Sequence, residues 1–217
     1  MSAGAVIALE VEASRGETLR YLGASGGDTR PSRGARRLDE LWAEAVALLE
    51  PRGAWAIVDR AAADGAGMPE PDERVALAVC TIGPALEDAS AERAGRGRLL
   101  DALVLDAIGS AAAEAAADAL NLLICEAAAV DGLEAAPRVS PGYGGWDTAC
   151  QERLLAHLPI AALGVRLTAG SMMVPRKSVS FAAGLATPGR LGRHGADKCA
   201  RCGLPQCRHR IAPSECG

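Results

Sequence analysis

The sequence predicts an α+β fold, in which a twisted antiparallel or mixed sheet carries flanking helices. Hydrophobic residues make up 49% and charged residues 23% of the 217 residues, as in folded globular proteins. Only 3% are aromatic, so the interior must consist mainly of small and aliphatic side chains, which favour closely packed helices. Strand and helix patterns alternate, and the last two strand patterns lie too close together for a helical crossover.

The first half of the chain contains three strand patterns and two clear helices. Strands are predicted at residues 4–12, 55–58 and 75–82. A short segment at 17–22 and a polar, glycine-rich loop at 23–34 follow the first strand. Apolar residues then recur at helical spacing through residues 38–49, and Pro51 ends this helix. Pro84 suits the first turn of a further helix after the third strand.

One long helix dominates the second half, and it is predicted at residues 98–130. A loop rich in glycine and proline covers residues 131–146. Asp147 suits the N-cap of a helix that ends near Leu158. Two further strand patterns lie at residues 164–169 and 178–182.

Charge is distributed unevenly along the chain. The 23 basic and 27 acidic residues give a net charge of −4, which argues against a protein that coats nucleic acid. From Arg176 onward, eight basic and two acidic residues give +6, so the preceding 175 residues carry −10. This basic end is expected to meet a negatively charged surface, unless its charges are simply solvated.

No segment predicts secretion or membrane insertion. The N-terminus lacks a basic region and reaches Glu10 before any long apolar run. The most apolar stretch, residues 99–130, contains five carboxylates, which would be very costly in hydrocarbon. We therefore expect a cytoplasmic protein that contacts neither membrane nor nucleic acid.

The sequence Arg-Val-Ser-Pro-Gly-Tyr at residues 138–143 is the first motif that suggests binding. Pro141 fixes its own φ and Gly142 accepts a positive φ, so the pair favours a tight turn. Arg138 can clamp a carboxylate, and Tyr143 offers an aromatic face with a hydroxyl group. Such a loop suits a small zwitterionic ligand with a flat base, although a purely structural turn is the alternative.

This motif resembles the R-x-[AS]-P-G-Y signature of the activation domain of cobalamin-dependent methionine synthase. Residues 113–120 and 167–180 are similar to two further segments of that family, A-E-A-x-A-x-x-L and L-T-x-S-x-x-M-x-P-x-x-S-V-S. Residues 20–23 and 81–83 resemble features of its stand-alone members. The resemblance covers about residues 17–182. It implies a domain that binds S-adenosylmethionine in an extended groove beside the loop and supports reductive methylation of cobalamin.

The resemblance also implies roles for five residues. Arg138 would pair with the methionyl carboxylate of the ligand, and Glu114 would bind its ammonium group from the long helix. Ser140 and Gly142 would supply backbone contacts, and Tyr143 would lie along the ligand. No catalytic acid or base is expected, because cobalt would perform the chemistry.

The chain also departs from the family in ways that bear on its partner. The family's P-A-C-P-D-H continuation is replaced at residues 144–151, so no histidine contact to cobalamin is expected there. We expect the protein to have no homocysteine, folate or cobalamin module. We therefore expect an accessory to methionine biosynthesis that cannot make methionine alone. Its partner would be the cobalamin-binding domain of a separate methionine synthase, or another corrinoid methyltransferase.

Four of the seven cysteines lie close together near the C-terminus, with the spacing C-x2-C-x4-C-x8-C: Cys199, Cys202, Cys207 and Cys216. Four thiolates can hold a four-iron four-sulfur cluster or a tetrahedral zinc. Residues 191–217 are therefore predicted as a metal-binding tail on a domain of residues 1–190. Residues 199–207 resemble the C-x-x-C-G-x-P-x-C motif of corrinoid iron–sulfur proteins, which favours iron and sulfur. With zinc, His209 could replace Cys216.

The three remaining cysteines are expected to be small buried side chains: Cys80, Cys125 and Cys150. The leading hypothesis for the whole chain is an S-adenosylmethionine-binding reactivation module. Two alternatives stay open. One is a docking module with structural zinc and no redox centre, and the other is an S-adenosylmethionine sensor unrelated to cobalamin.

Overall fold

The structure is a computed structural model that describes residues 4–23, 33–69, 71–143 and 145–188. Within these ranges helices and antiparallel strands are combined, so the predicted α+β class is confirmed. The four tail cysteines and most of the glycine-rich loop predicted at 23–34 lie outside the described residues. The boundary between a domain of residues 1–190 and a tail therefore stays a prediction.

The described strands form one five-stranded sheet and one two-stranded ribbon. In chain order they are β1 Ile7–Ala8, β2 Arg52–Asp59, β3 Arg74–Thr81, β4 Glu134–Ala135, β5 Arg166–Leu167, β6 Met173–Val174 and β7 Ser178–Ala186. The sheet has the order β1-β2-β3-β7-β4, and every neighbouring pair is antiparallel.

The two last strand patterns of the sequence do not pair with each other. β5 pairs with β6 in the ribbon, where Thr168 N–H donates to Met172 O at 2.8 Å to close the turn. β7 instead lies between β3 and β4 in the main sheet, with Phe181 opposite Ala78. The short distance between these strand patterns along the chain therefore predicted antiparallel pairing correctly, but it did not predict which strands pair.

The helices cover both faces of the sheet. In chain order they are α1 Arg15–Tyr21, α2 Arg33–Ala47, α3 Arg60–Gly65, α4 Ala85–Gly95, α5 Leu99–Val130, α6 Gln151–Leu155 and α7 Ile160–Leu163. Helices α1, α2, α4 and α5 share one hydrophobic core with the sheet, and α3, α6 and α7 contribute to a second core on the opposite face. Within the described ranges, no helix is long and apolar enough to cross a membrane.

The long helix α5 packs closely on the sheet because its inner positions are small. Ala112, Ala116 and Ala117 are each fully buried, and alanine lets a helix backbone approach its neighbours while favouring helix formation. Larger buried side chains, such as Ile108 and Leu120, fill the gaps between these contacts. This packing fixes which face of α5 is left for the candidate site.

The helix predicted after Asp147 is shorter and more broken than expected. Asp147 does cap a helical turn, since its Oδ1 accepts from Ala149 N–H at 2.9 Å, but the capped element is a 3-10 turn, Thr148–Cys150. α6 continues from that turn and ends at Leu155. A separate short helix, α7, begins after Pro159, because proline has no N–H to continue the preceding helix.

Candidate ligand-binding site

The Pro-Gly turn is anchored at both ends. Val139 exchanges two backbone hydrogen bonds of 2.8 Å with Ala182 of β7. On the far side Trp146 is 1% exposed, and its indole Nε1 donates to Ala66 O at 3.1 Å. The turn is therefore held between the sheet and the second core.

Within the turn, the backbone groups bond to each other. Gly142 has φ +94°, a conformation that residues with a side chain rarely adopt. Its N–H donates to Trp146 O at 2.6 Å, and Tyr143 N–H donates to Ser140 O at 3.1 Å. A ligand contact of Gly142 would therefore use its carbonyl group in this conformation. The Tyr143 side chain is 60% exposed and open to contact.

Arg138 lies directly before this turn and is buried against α5. Its Nη2 donates to Glu114 Oε2 at 2.6 Å and to Asp118 Oδ1 at 2.8 Å, and its Nε donates to the same Asp118 oxygen at 3.0 Å. The guanidinium lies 5.7 Å from the centre of the Phe181 ring on β7. The structure thus brings together Arg138 and Glu114, two residues that the sequence analysis singled out.

The carboxylates of this cluster face solvent, whereas the arginine does not. The Arg138 side chain is 6% exposed, compared with 42% for Glu114 and 72% for Asp118. One cation and two anions give the cluster a formal charge of −1, so its open side is negative. We refer to Glu114, Asp118 and Arg138 as the acidic cluster.

Asp118 was not identified from the sequence. It lies one helical turn after Glu114 on α5, and residues four apart share a helix face. That spacing was the available signal, because a carboxylate at i+4 from a suspected ligand-binding glutamate can join the same site.

The charges around Arg138 determine its protonation and that of its neighbour. Burial lowers the pKa of Arg138, but the hydrogen bonds and charges of Glu114 and Asp118 raise it by more. The guanidinium therefore stays charged. Burial raises the pKa of the Cys80 thiol on β3 to about 12, although the charge of Arg138 lowers it. The thiol therefore stays protonated.

Helix α1 contributes an aromatic residue at the edge of the acidic cluster. Tyr21 is half-buried at the end of α1, and the Arg20 guanidinium lies 5.2 Å from its ring centre. Burial raises the pKa of Tyr21, and the negative charge of Glu114 raises it further. Tyr143 also raises that pKa, and α1 packs against α5, the helix that carries Glu114.

A strip of side chains continues from the cluster along α5. Asp106, Ser110, Glu114 and Asp118 follow at four-residue intervals, which places them on one helix face. Lys177 Nζ lies 2.8 Å from both Asp106 Oδ1 and Ser110 Oγ. This α5 strip is therefore an extended polar surface rather than an isolated ion pair.

The cysteine predictions have different outcomes. Cys80 and Cys150 are buried free thiols, as predicted, and Cys125 is a free thiol that is only partly buried. In the part of the chain that the structure describes, no group of three or more His, Cys, Asp or Glu side chains could hold a metal ion. The predicted ligands Cys199, Cys202, Cys207 and Cys216 lie outside that part, so the metal site stays a prediction.

The fold belongs to a known structural class. No family model and no curated protein matches the chain. Its fold is that of a reactivation domain: it is similar to the crystal structure of the MetH reactivation domain bound to AdoHcy. The TM-score is 0.57, the sequence identity is 14%, and the match covers 88% of this chain and 81% of that chain. The resemblance suggested by the motifs is thus confirmed at the level of the fold.

Proposed function

We propose that this protein binds S-adenosylmethionine at the acidic cluster and serves as a reactivation module for a cobalamin-dependent methyltransferase. The observation that carries the proposal is a buried Arg138 that holds the partly exposed Glu114 and the exposed Asp118 beside the Pro-Gly turn. A similar fold bound to AdoHcy supports the same ligand class. The acceptor would be the cobalamin of a separate methionine synthase or corrinoid protein.

The charge of the acidic cluster matches the charge of this ligand. S-adenosylmethionine carries a sulfonium, an ammonium and a carboxylate, so its net charge at neutral pH is about +1. Glu114 would bind the ammonium group, and Asp118 adds negative charge near the sulfonium. The hydrogen bonds of Arg138 to these residues use Nε and Nη2. Its Nη1 would then serve the ligand carboxylate.

The same charge balance would help the product to leave. Transfer of the methyl group to a nucleophile takes the bonding electrons back to sulfur, so the sulfonium becomes a neutral thioether. S-adenosylhomocysteine therefore loses the charge that the acidic cluster attracts. The protein needs no general acid or base for this step, since its part is to position the methyl donor and exclude competing orientations.

The predicted tail would supply the electron that the reaction needs. Reductive methylation needs an electron as well as a methyl donor, and a four-iron four-sulfur cluster on Cys199, Cys202, Cys207 and Cys216 could accept and pass on electrons. A zinc ion there would make the tail structural. Anaerobic purification followed by iron, sulfide and zinc analysis distinguishes these two cases.

A reconstituted reaction tests the proposed function. The protein is mixed with S-adenosylmethionine, a strong reductant and a cobalt(II) corrinoid protein from the same cell, and the corrinoid absorption spectrum is followed. We expect methylation of the corrinoid to require all four components. Methylation at the same rate without this chain would overturn the proposal.

A further inference from the structure

Exposed leucines form an apolar patch at the start of α5. The exposed fractions are 68% for Leu99, 38% for Leu100 and 55% for Leu103. A helix turns through about 100° per residue, so these three positions lie within roughly 100° of one another around the axis. Contiguous apolar surface of this kind is typical of a protein interaction site. We refer to these residues as the leucine patch.

The leucine patch is continuous with the α5 strip. Leu103 and Glu114 are eleven residues apart, which is about three helical turns and about 16 Å along one face. Between them, Asp106 and Ser110 of the α5 strip are partly exposed, while most other side chains of this stretch are buried. The Lys177 side chain lies over this stretch, bonded to Asp106 and Ser110, so a partner bound to the leucine patch would pass over Lys177 on its way along α5 to the acidic cluster.

Arginines of α2 give this part of the surface a positive charge. Arg33, Arg36 and Arg37 line a cavity together with Glu40 and Leu100. Arg37 is paired with Asp101 and Glu40, but Arg33 and Arg36 form no ion pair with other described residues. These two positive charges belong to a stretch, the 175 residues that precede Arg176, whose net charge is −10.

We propose that the leucine patch, with Arg33 and Arg36 at its edge, docks the protein that carries the methyl acceptor. The partner surface would be apolar opposite the leucines and acidic opposite Arg33 and Arg36, because such a surface complements both groups of side chains. A nucleic acid would satisfy the arginines and leave the leucines in water. The assignment of this partner rests on the proposed function, since it needs a methyl donor bound at the acidic cluster.

The test uses the cobalamin-binding domain of methionine synthase from the same cell as the probe. Its association with the full chain is measured by biolayer interferometry at saturating S-adenosylmethionine, and S-adenosylmethionine binding to each variant is measured by calorimetry. The variant Leu99→Glu/Leu103→Glu places charge in the leucine patch. Leu122→Glu is the matched control, because Leu122 is 59% exposed on the same helix but lies about five turns beyond Leu103.

We expect Leu99→Glu/Leu103→Glu to weaken association with the probe at least about tenfold, since charge replaces the apolar centre of the contact. Leu122→Glu should stay within about twofold of the unmodified chain, and all three proteins should bind S-adenosylmethionine equally. Arg33→Glu/Arg36→Glu should slow association and reduce its dependence on salt. Circular dichroism confirms that each variant is folded.

Two results would overturn the docking proposal. One is unchanged association of Leu99→Glu/Leu103→Glu with the probe. The other is a dimer of the unmodified chain that these substitutions dissociate in sedimentation analysis, which would assign the leucine patch to a second copy. Failure of the unmodified chain to bind S-adenosylmethionine would instead count against the proposed function, and calorimetry reports that separately.

Discussion

Nη2 of Arg138 lies 2.6 Å from Oε2 of Glu114, although 24 residues separate them along the chain. The contact forms because the chain leaves α5 at Val130 and returns beside β7, where Val139 bonds to Ala182. The arginine is buried and the glutamate is partly exposed. Arg138 therefore lies on the buried side of the site, and a ligand that arrives from solvent would contact Glu114 first.

Replacement of Arg138 by alanine should weaken S-adenosylmethionine binding by about 2–4 kcal/mol, as expected for the loss of a charged, hydrogen-bonded group. Calorimetry measures the affinity. The free energy of unfolding should fall by only about 1–2 kcal/mol, because the carboxylates of Glu114 and Asp118 face solvent and can be hydrated once the arginine is removed. Arg60→Ala is the control, since Arg60 pairs with Glu73 at 3.2 Å elsewhere on the surface. Unchanged affinity in Arg138→Ala would remove this residue from the site.

Neutralising the carboxylates should affect the two ligands differently. Glu114→Gln and Asp118→Asn each remove one negative charge and keep the side-chain shape. We expect each to weaken S-adenosylmethionine binding about fivefold to tenfold, which corresponds to about 1 kcal/mol for a partly exposed charge pair. S-adenosylhomocysteine has no sulfonium charge, so Asp118→Asn should alter its affinity less. Glu126→Gln, on the exposed side of the same helix, is the control. Equal losses for both ligands in Asp118→Asn would contradict the charge argument.

Asp101 should contribute stability that is lost in acid. Its buried carboxylate accepts hydrogen bonds from Arg37, and this pairing lowers its pKa, with Arg98 adding to the effect. A carboxyl group whose pKa is lowered by folding stabilises the protein above its unfolded pKa of about 3.9, and this contribution disappears as the pH falls through the native pKa. Asp101→Asn should therefore cost about 1–3 kcal/mol at pH 7 and progressively less below about pH 4. Urea unfolding at several pH values measures this, and a pH-independent cost would refute it.

Cys202→Ser should abolish metal loading of the tail while the sheet and its helices stay folded. Cys202 lies beyond β7, which ends at Ala186, and a four-thiolate site loses a ligand in this variant. Metal analysis measures the loading, and far-ultraviolet circular dichroism measures the fold. Cys125→Ser is the control, because Cys125 is a partly buried free thiol on α5. Global unfolding of Cys202→Ser would show that the metal is part of the core.

Long, strongly patterned elements could be predicted from the sequence, and short ones could not. The prediction of residues 98–130 differs from α5 by one residue, because its apolar positions repeat over many turns. Two-residue strands such as β4 carry no period, so residues 131–146 were predicted as a loop. α3 was missed although Asp59 caps it, with Oδ1 accepting from Ala62 N–H: only six residues follow, too few to show helical spacing.

The residues of the candidate site also fall into two groups: those that a local sequence motif could reveal and those that only the fold brings to the site. The resemblance pointed to Arg138 and Glu114, because they belong to local motifs that can be read within a few residues. Asp118 stands at an open position of the A-E-A-x-A-x-x-L motif, so the motif did not mark it. Its role depends on the return of the chain beside β7, and that is a property of the fold. The same holds for Tyr21, which reaches the site through the packing of α1 on α5.

The most direct test of the account is a calorimetric titration of the unmodified protein with S-adenosylmethionine and, separately, with S-adenosylhomocysteine. The acidic cluster carries two carboxylates and one guanidinium, so the cationic ligand should bind more tightly. We expect one site per chain and an affinity for S-adenosylmethionine about tenfold higher, which corresponds to about 1.4 kcal/mol. No binding of either ligand, or binding that survives Arg138→Ala and Glu114→Gln unchanged, would contradict the central claim.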